Sequence, residues 1–473
     1  MSDRVIAAGL AALVIVARVP FATHTLWAWD SVLYARALEQ GFHVGVDLAD
    51  QRPHPPGYLF YVGAAAAARL FTGDSNAALV AISVLASGLT AAAVYLLCRR
   101  YADRALALVI ALGAATAPLA WTYGEVAMPY ALLGLLSIVL AVALLDARGG
   151  QWPAALLASA GLGLAAGFRQ DVLLLLGPLW LWMLGARSWR ERALCVAAVG
   201  IAGLVWFLPS ASLSGGLTAY LASLGGQASR VSDLSPAAGS DALLRNTLLT
   251  VYALFWGLLG FALLLVVAAV PRLRELRRPT ENAVFFTLWL APAALVYVTI
   301  HIGDPGYLMS VLPGMYVATA ALLAPVASKV PRGVVTFTAL LVALNIGVFV
   351  ATDTPLSAAA IERHDRSLRE RVRLVRERAP VGSSVVIAQS EYLAARYYLP
   401  EYRVLYFGER PEVLSQSERE IRVASSTTVV IFMPTPVGAE LAKTLRLPDD
   451  GTPVRIGQLA TGDTLVAYDL EPR

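Results

Sequence analysis

The chain has 473 residues, 58% of them hydrophobic and 15% charged, with a mean hydropathy of +0.64. That balance lies well outside soluble globular usage and marks a polytopic membrane protein. The formal net charge of +4 comes from arginines gathered in short loops. No basic stripe is interleaved with stacking aromatics, which argues against nucleic acid as a partner.

Apolar stretches of spanning length predict about eleven transmembrane helices, near 4–21, 76–97, 104–121, 127–146, 153–168, 172–186, 193–210, 246–270, 283–300, 307–327 and 333–350. No small-x-small cleavage site follows the first, which reads as a retained signal anchor. Positive charge in short loops resists translocation. Arg99, Arg100 and Arg104, then Arg187, Arg190 and Arg192, then Arg272, Arg274, Arg277 and Arg278, then Lys329 and Arg332 fall in alternate loops. They predict a multi-pass protein of the cytoplasmic (inner) membrane with its N-terminus cytoplasmic. Segments 22–75, 122–126, 169–171, 211–245, 301–306 and everything after about 350 are then extracytoplasmic. Both cysteines, Cys98 and Cys195, fall at cytoplasmic span ends, so no disulfide framework is available outside.

The first outer loop is patterned beyond what a connector needs. WAWDSVLYARAL (27–38) places Asp30 between Trp27, Trp29 and a helical stripe, just after the chain leaves the membrane. RPHPPGYLFYVGAAAAARLF (52–71) is apolar but short, and predicts a helix lying at the interface, with Tyr58, Phe60, Tyr61 and Phe71 as aromatic anchors. The diproline excludes helix before Gly57 and holds His54 on a rigid approach to it.

Other ionisable residues return at the same level. WTYGEVAMPYAL (121–132) puts Glu125 at the mouth of the third span, GFRQD (167–171) puts Arg169 and Asp171 at a tight turn, and HIGDPGYLMSVLP (301–313) brings His301, Asp304 and Tyr307. Such groups at a membrane boundary are costly unless paired or used. Each alone reads as a helix cap or a solvated interfacial charge, Asp171 and Asp304 especially. Together on one face they suggest a chemistry: a carboxylate that takes a proton from a hydroxyl, a second that orients an acceptor or a metal, and an arginine that holds phosphate. Asp30 and Glu125 are expected to border one cavity open to lipid, with Trp27, Trp29, Tyr58, Tyr123 and Tyr307 lining a substrate pocket.

After about residue 350 the chain leaves the membrane. IERHDRSLRERVRLVRERAP (361–380) has an amphipathic helical period. Short β-branched runs at 383–388, 402–407, 427–432 and 464–470 alternate with helix-like 390–399 and 436–445. The expectation is a transmembrane domain over 1–350 and a small extracytoplasmic α/β domain over 351–473. That second domain has no Cys and no paired His/Asp cluster, which argues against catalysis there.

WAWDSVLYARAL, HPPGYLFYV, the CRRYADR turn and WTYGEVAMPYALL together resemble the membrane glycosyltransferases of the C superfamily, in the protein O-mannosyltransferase and aminoarabinose-transferase-like group. The resemblance covers roughly 4–350. It implies that Asp30 is the catalytic base and that Glu125 organises the acceptor or a divalent metal ion. It further implies a sugar donor carried on a polyprenyl phosphate, with the phosphate held by Arg169, His54 and His301. Pro53 and His54 stand where related sequences often carry an acidic residue, so a metal in this loop does not carry over directly. Membrane lipid and a glycan, lipid or protein acceptor are the implied partners. A base-assisted attack that expels lipid phosphate would invert the anomeric centre. A lipid-linked-glycan flippase or exporter is the alternative, although it calls for ionisable residues within spans. An oligosaccharide polymerase or ligase is another, although loop 211–245 carries only Arg230 and Arg245.

Overall fold

The computed structural model of the chain describes residues 2–45, 47, 51–233, 235–236, 239–269, 280–406, 428–432, 452–458 and 464–469. The arginine loop 272–278 and the expected helix 436–445 lie outside the described residues. Contacts divide the chain into two compact units, Met1–Ala22 with Tyr58–Ala360, and Thr23–Gly57 with Ile361–Arg473. Residues 23–57 of the first outer loop therefore group with the C-terminal segment, while 58–75 belong to the first unit.

The first unit is helical. Its elements are α1 (Asp3–Arg18), α3 (Leu59–Thr72), α4 (Ser75–Cys98), α5 (Arg104–Thr116), α6 (Pro118–Tyr123), α7 (Tyr130–Gly149), α8 (Trp152–Ala165), α9 (Asp171–Leu184), α10 (Trp189–Leu213), α11 (Leu217–Asp233), α12 (Ser240–Leu258), α13 (Phe261–Ala269), α14 (Glu281–Thr299), α15 (Leu312–Ala327) and α16 (Pro331–Ala351). The second unit contributes α2 (Trp29–Gln40). Among the described residues, six helices are long and apolar enough to cross a membrane: α1 extended to Phe21, α4, α7, α10, α14 and α16. Leu194, Val196, Ile201, Leu204 and Leu208 leave α10 with an exposed apolar face, as lipid-facing helices require.

Several expected spans are interrupted. The stretch 104–121 divides into α5 and α6 because Pro118 supplies no amide to continue the ladder. The stretch 246–270 divides at Leu259, whose φ of +44° ends α12. A 3₁₀ turn, Pro305–Ser310, precedes α15. Loop 211–245 carries the helix α11. Helix α3, at 14 residues, is about 21 Å long, short of the roughly 30 Å of a hydrocarbon core. Of its expected anchors only Phe71 faces outward, at 91% exposure, whereas Tyr58 and Tyr61 are buried and Phe60 packs edge-on against Phe168. The start of α3 is held to the turn before α9, where the backbone amide of Phe60 donates to Gly167 O at 2.9 Å.

In the second unit, α17 (Ala358–Arg378), whose first turn lies in the first unit, and α18 (Tyr392–Tyr398) accompany a five-stranded sheet. The strands are β1 (Ser384–Ala388), β2 (Arg403–Tyr406), β3 (Thr428–Ile431), β4 (Thr452–Gln458) and β5 (Thr464–Asp469), in the order β2-β1-β3-β5-β4. β1 pairs in parallel with β2 and β3, while β5 pairs antiparallel with β3 and β4. The small α/β character follows from the alternation of β-branched runs with helix. Strand β4 was not expected, since Pro453 and Gly457 interrupt its pattern.

Candidate active site

In the first unit the ionisable residues separate into two clusters. One surrounds Arg169, in the turn between α8 and α9. This residue is only 4% exposed. Its Nε donates to both carboxylate oxygens of Asp171, at 2.9 and 3.1 Å. Its guanidinium lies 4.4 Å from the ring centre of Tyr307, 4.9 Å from Tyr130 and 5.9 Å from Tyr58. Such stacking holds a partly desolvated cation without neutralising it. Among the described residues no protein group hydrogen-bonds the two terminal nitrogens, so four N–H donors remain for a ligand.

Each ring of the cage is placed by local structure. Tyr58 sits in the left-handed region, φ +52°, where Gly57 gives way to α3. Tyr130 opens α7, and Gly306 must be glycine, since a Cβ there would lie 2.2 Å from the Tyr130 ring. Tyr307 rides the 3₁₀ turn that Asp304 caps through the Gly306 amide at 2.7 Å. Tyr123 is buried and donates its hydroxyl to Asp304, so it pins α6 to that turn and does not present itself to a substrate. Asp304 is thus the cap its sequence suggested, whereas Asp171 is an ion-pair partner. His301 has its ring 6.3 Å from Tyr307. Burial, and then the charge of Arg245, hold its imidazole below the usual histidine range. It is therefore neutral near pH 7 and can offer phosphate a hydrogen bond but no charge.

The second cluster corrects the reading of Glu125. This residue is not at an open mouth: it is 0% exposed and 3.9 Å from Arg18 Nη1, itself 2% exposed. Arg18 also donates to Trp121 O at 2.8 Å and Ala115 O at 2.9 Å. Gly124 permits this approach, since a Cβ there would meet the Arg18 guanidinium at 2.7 Å. The turn is further held by Ser83, whose hydroxyl lies 2.8 Å from Val126 O and 3.0 Å from Met128 O. Glu125 does not suit a divalent metal, because a guanidinium already occupies its cation side. Among the described residues no group of three or more His, Cys, Asp or Glu could hold a metal ion. Arg18 was missed because it closes an apolar helix, although a charge in a span is itself the signal.

In the second unit, Asp30 is the second residue of α2, and Ala28 rather than Asp30 occupies the cap position. Its carboxylate, about one-third exposed, lies 3.5 Å from His54 Nε2. His54 Nδ1 is 2.7 Å from Pro55 O. A carbonyl can only accept, so the proton sits on Nδ1 and Nε2 faces Asp30. His54, expected at phosphate, partners the carboxylate instead. A two-stranded bridge, His43 N to Arg52 O at 2.8 Å and Arg52 N to His43 O at 2.7 Å, closes the loop behind it. Trp27 packs on His364 at 4.7 Å between ring centres, and Trp29 on Tyr392 at 6.4 Å. Both tryptophans are therefore engaged by the C-terminal segment, where sequence suggested a substrate pocket.

Residues 53–212 match the family model described as dolichyl-phosphate-mannose-protein mannosyltransferase. That match spans 160 of the chain's 473 residues, and the fold around it is that of a multi-pass helical membrane protein. The particular fold it shares is that of ArnT from Cupriavidus metallidurans. The crystal structure of that protein bound to undecaprenyl phosphate aligns with a TM-score of 0.61 at 12% identity, over 98% of this chain and 97% of that one. Its apo structure aligns at 0.59 with 14% identity over the same shares. No curated protein matches the chain.

Proposed function

We propose that the protein transfers a sugar from a polyprenyl-phosphate donor to a hydroxyl of an extracytoplasmic acceptor, with inversion at the anomeric carbon. The observation that carries this reading is Arg169: a guanidinium nine-tenths buried, held by Asp171 through Nε alone and caged by three tyrosines, with its terminal nitrogens open to a ligand. That arrangement suits a phosphate, which takes two parallel N–H donors from one guanidinium. The undecaprenyl phosphate held by the ArnT structure of like fold supports the choice of donor. A polyprenyl tail cannot leave the bilayer, so its phosphate has to be met at headgroup depth.

In this mechanism Asp30 accepts the proton of the acceptor hydroxyl while its oxygen attacks the anomeric carbon. The bond from that carbon to the phosphate oxygen breaks as the new glycosidic bond forms. The leaving polyprenyl phosphate is stabilised by the charge of Arg169. His54 Nε2, unprotonated and 3.5 Å from the Asp30 carboxylate, can receive the proton onward. The N-terminus is cytoplasmic, the C-terminal segment extracytoplasmic, and the protein resides in the inner membrane. The acceptor is a glycan, lipid or protein hydroxyl. Purified protein incubated with a radiolabelled polyprenyl-phosphate sugar should release polyprenyl phosphate. Movement of the intact donor across liposomes without cleavage would favour a flippase and reject this reading.

A further inference from the structure

We infer that Asp365 and His364, on α17 of the C-terminal segment, are positioning residues that hold the strap leading to Asp30 and thereby fix where its carboxylate stands. The inference rests on the assignment of Asp30 as base and adds what keeps it in place. The strap, residues 23–28, has neither helix nor strand to satisfy its amides, so partners must come from elsewhere. Asp365 supplies them. Its carboxylate, 3% exposed, accepts the His24 amide at 2.7 Å, the Thr25 amide at 3.0 Å and the Thr25 hydroxyl at 2.6 Å. The neighbouring His364 takes the next two residues: its Nε2 is 3.1 Å from Leu26 O, and its ring packs on Trp27. The Leu26 amide donates to the Tyr398 hydroxyl at 2.9 Å. Beyond the strap, α2 is held at both ends by α18, through Trp29 on Tyr392 and through the Tyr397 hydroxyl donating to Glu39 at 2.5 Å.

The chemistry of Asp365 distinguishes a clamp from an ordinary buried polar residue. A buried carboxylate is retained only if its oxygens are hydrogen-bonded. Here all three donors belong to the strap and none to α17. Its charge is thus satisfied only while the strap is seated, and the strap runs directly into α2, where Asp30 stands in the first turn, two residues past the strap's end. Loss of these charge-assisted bonds lets Asp30 sample other positions, and displacement by about 1 Å is enough to cost a hundredfold in rate.

The test uses the full-length protein in lipid nanodiscs. In Asp365→Asn, hydrogen exchange over residues 23–32 should accelerate by about tenfold or more while β1 and α4 stay protected, because charged hydrogen bonds to those amides are lost. Its kcat should fall about tenfold at unchanged KM for a polyprenyl-phosphate sugar, and the same substitution should have no further effect in an Asp30→Asn background. Thr25→Ala should show a milder loss that Thr25→Ser restores, which serves if Asp365→Asn folds poorly. Unchanged exchange over 23–32, or the same fold-loss in the Asp30→Asn background, overturns the inference. Retained turnover in Asp30→Asn alone overturns the base assignment instead, and exchange then decides by itself whether the clamp holds the loop.

Discussion

At the scale of single residues, two carboxylates of similar sequence appearance do different things. Asp30 stands at the second position of α2, so Asn there costs only the roughly 0.3–1 kcal/mol of a charge–dipole interaction. Asp30→Asn should therefore remain folded while turnover falls by about two or more orders of magnitude, since an amide cannot accept the proton. Glu125 behaves in the opposite way. Removing its charge leaves Arg18 as an uncompensated buried cation, which costs about 3–5 kcal/mol. Glu125→Gln should thus lower the melting temperature sharply in a thermal-shift assay, while the rate per folded molecule changes little. A catalytic Glu125 would give the reverse pattern, with stability kept and rate lost. Arg169→Lys keeps a charge but cannot hold Asp171 and offer a planar pair of donors at once. Its KM for the polyprenyl-phosphate donor should rise by about tenfold or more, read from initial rates at varied donor.

At the scale of elements, the phosphate candidate depends on how three turns meet. Gly306 lets the Pro305–Ser310 turn lie against Tyr130. Gly306→Ala should push that ring away from Arg169, cost about 1–3 kcal/mol by overpacking, and weaken donor binding. Its measure is donor KM beside melting temperature. In the second unit, His364 has a pH signature. Burial, outweighing the attraction of Glu391 and Asp365, holds its imidazole below the usual value, with Arg371 lowering it further. The unfolded chain therefore takes up the proton first as pH falls. The seated strap is at full stability above about pH 6.5 and weakens as pH drops from there toward the lower folded value. Melting temperature should fall between about pH 7 and 5, and His364→Gln should flatten part of that slope.

At the scale of the whole molecule, the proposed topology, read from the alternating arginine loops, puts the C-terminus outside the cytoplasm. A reporter active only in the cytoplasm, fused after Arg473, should stay silent, and activity would put Asp30 on the wrong side. The second unit joins chain ends separated by more than 300 residues, since Thr25 meets Asp365. What looks in sequence like an appendage after residue 350 is thus part of the structure that carries Asp30.

Hydropathy, charge bias and local motifs were enough to read a helical membrane protein, the α/β character of its C-terminal segment, and Asp30 and Arg169 as residues worth singling out. Those properties depend on residues near one another in the chain, where helical period, proline and loop charge act directly. The tertiary structure decided the rest. It placed Glu125 against Arg18, 107 positions away (125 − 18), and took His54 from phosphate to Asp30. It also gathered Tyr58, Tyr130 and Tyr307 around Arg169 and set Trp27 on His364. A buried charge takes whichever partner packing brings within a few ångströms, and that pairing has no period or spacing in the sequence to announce it.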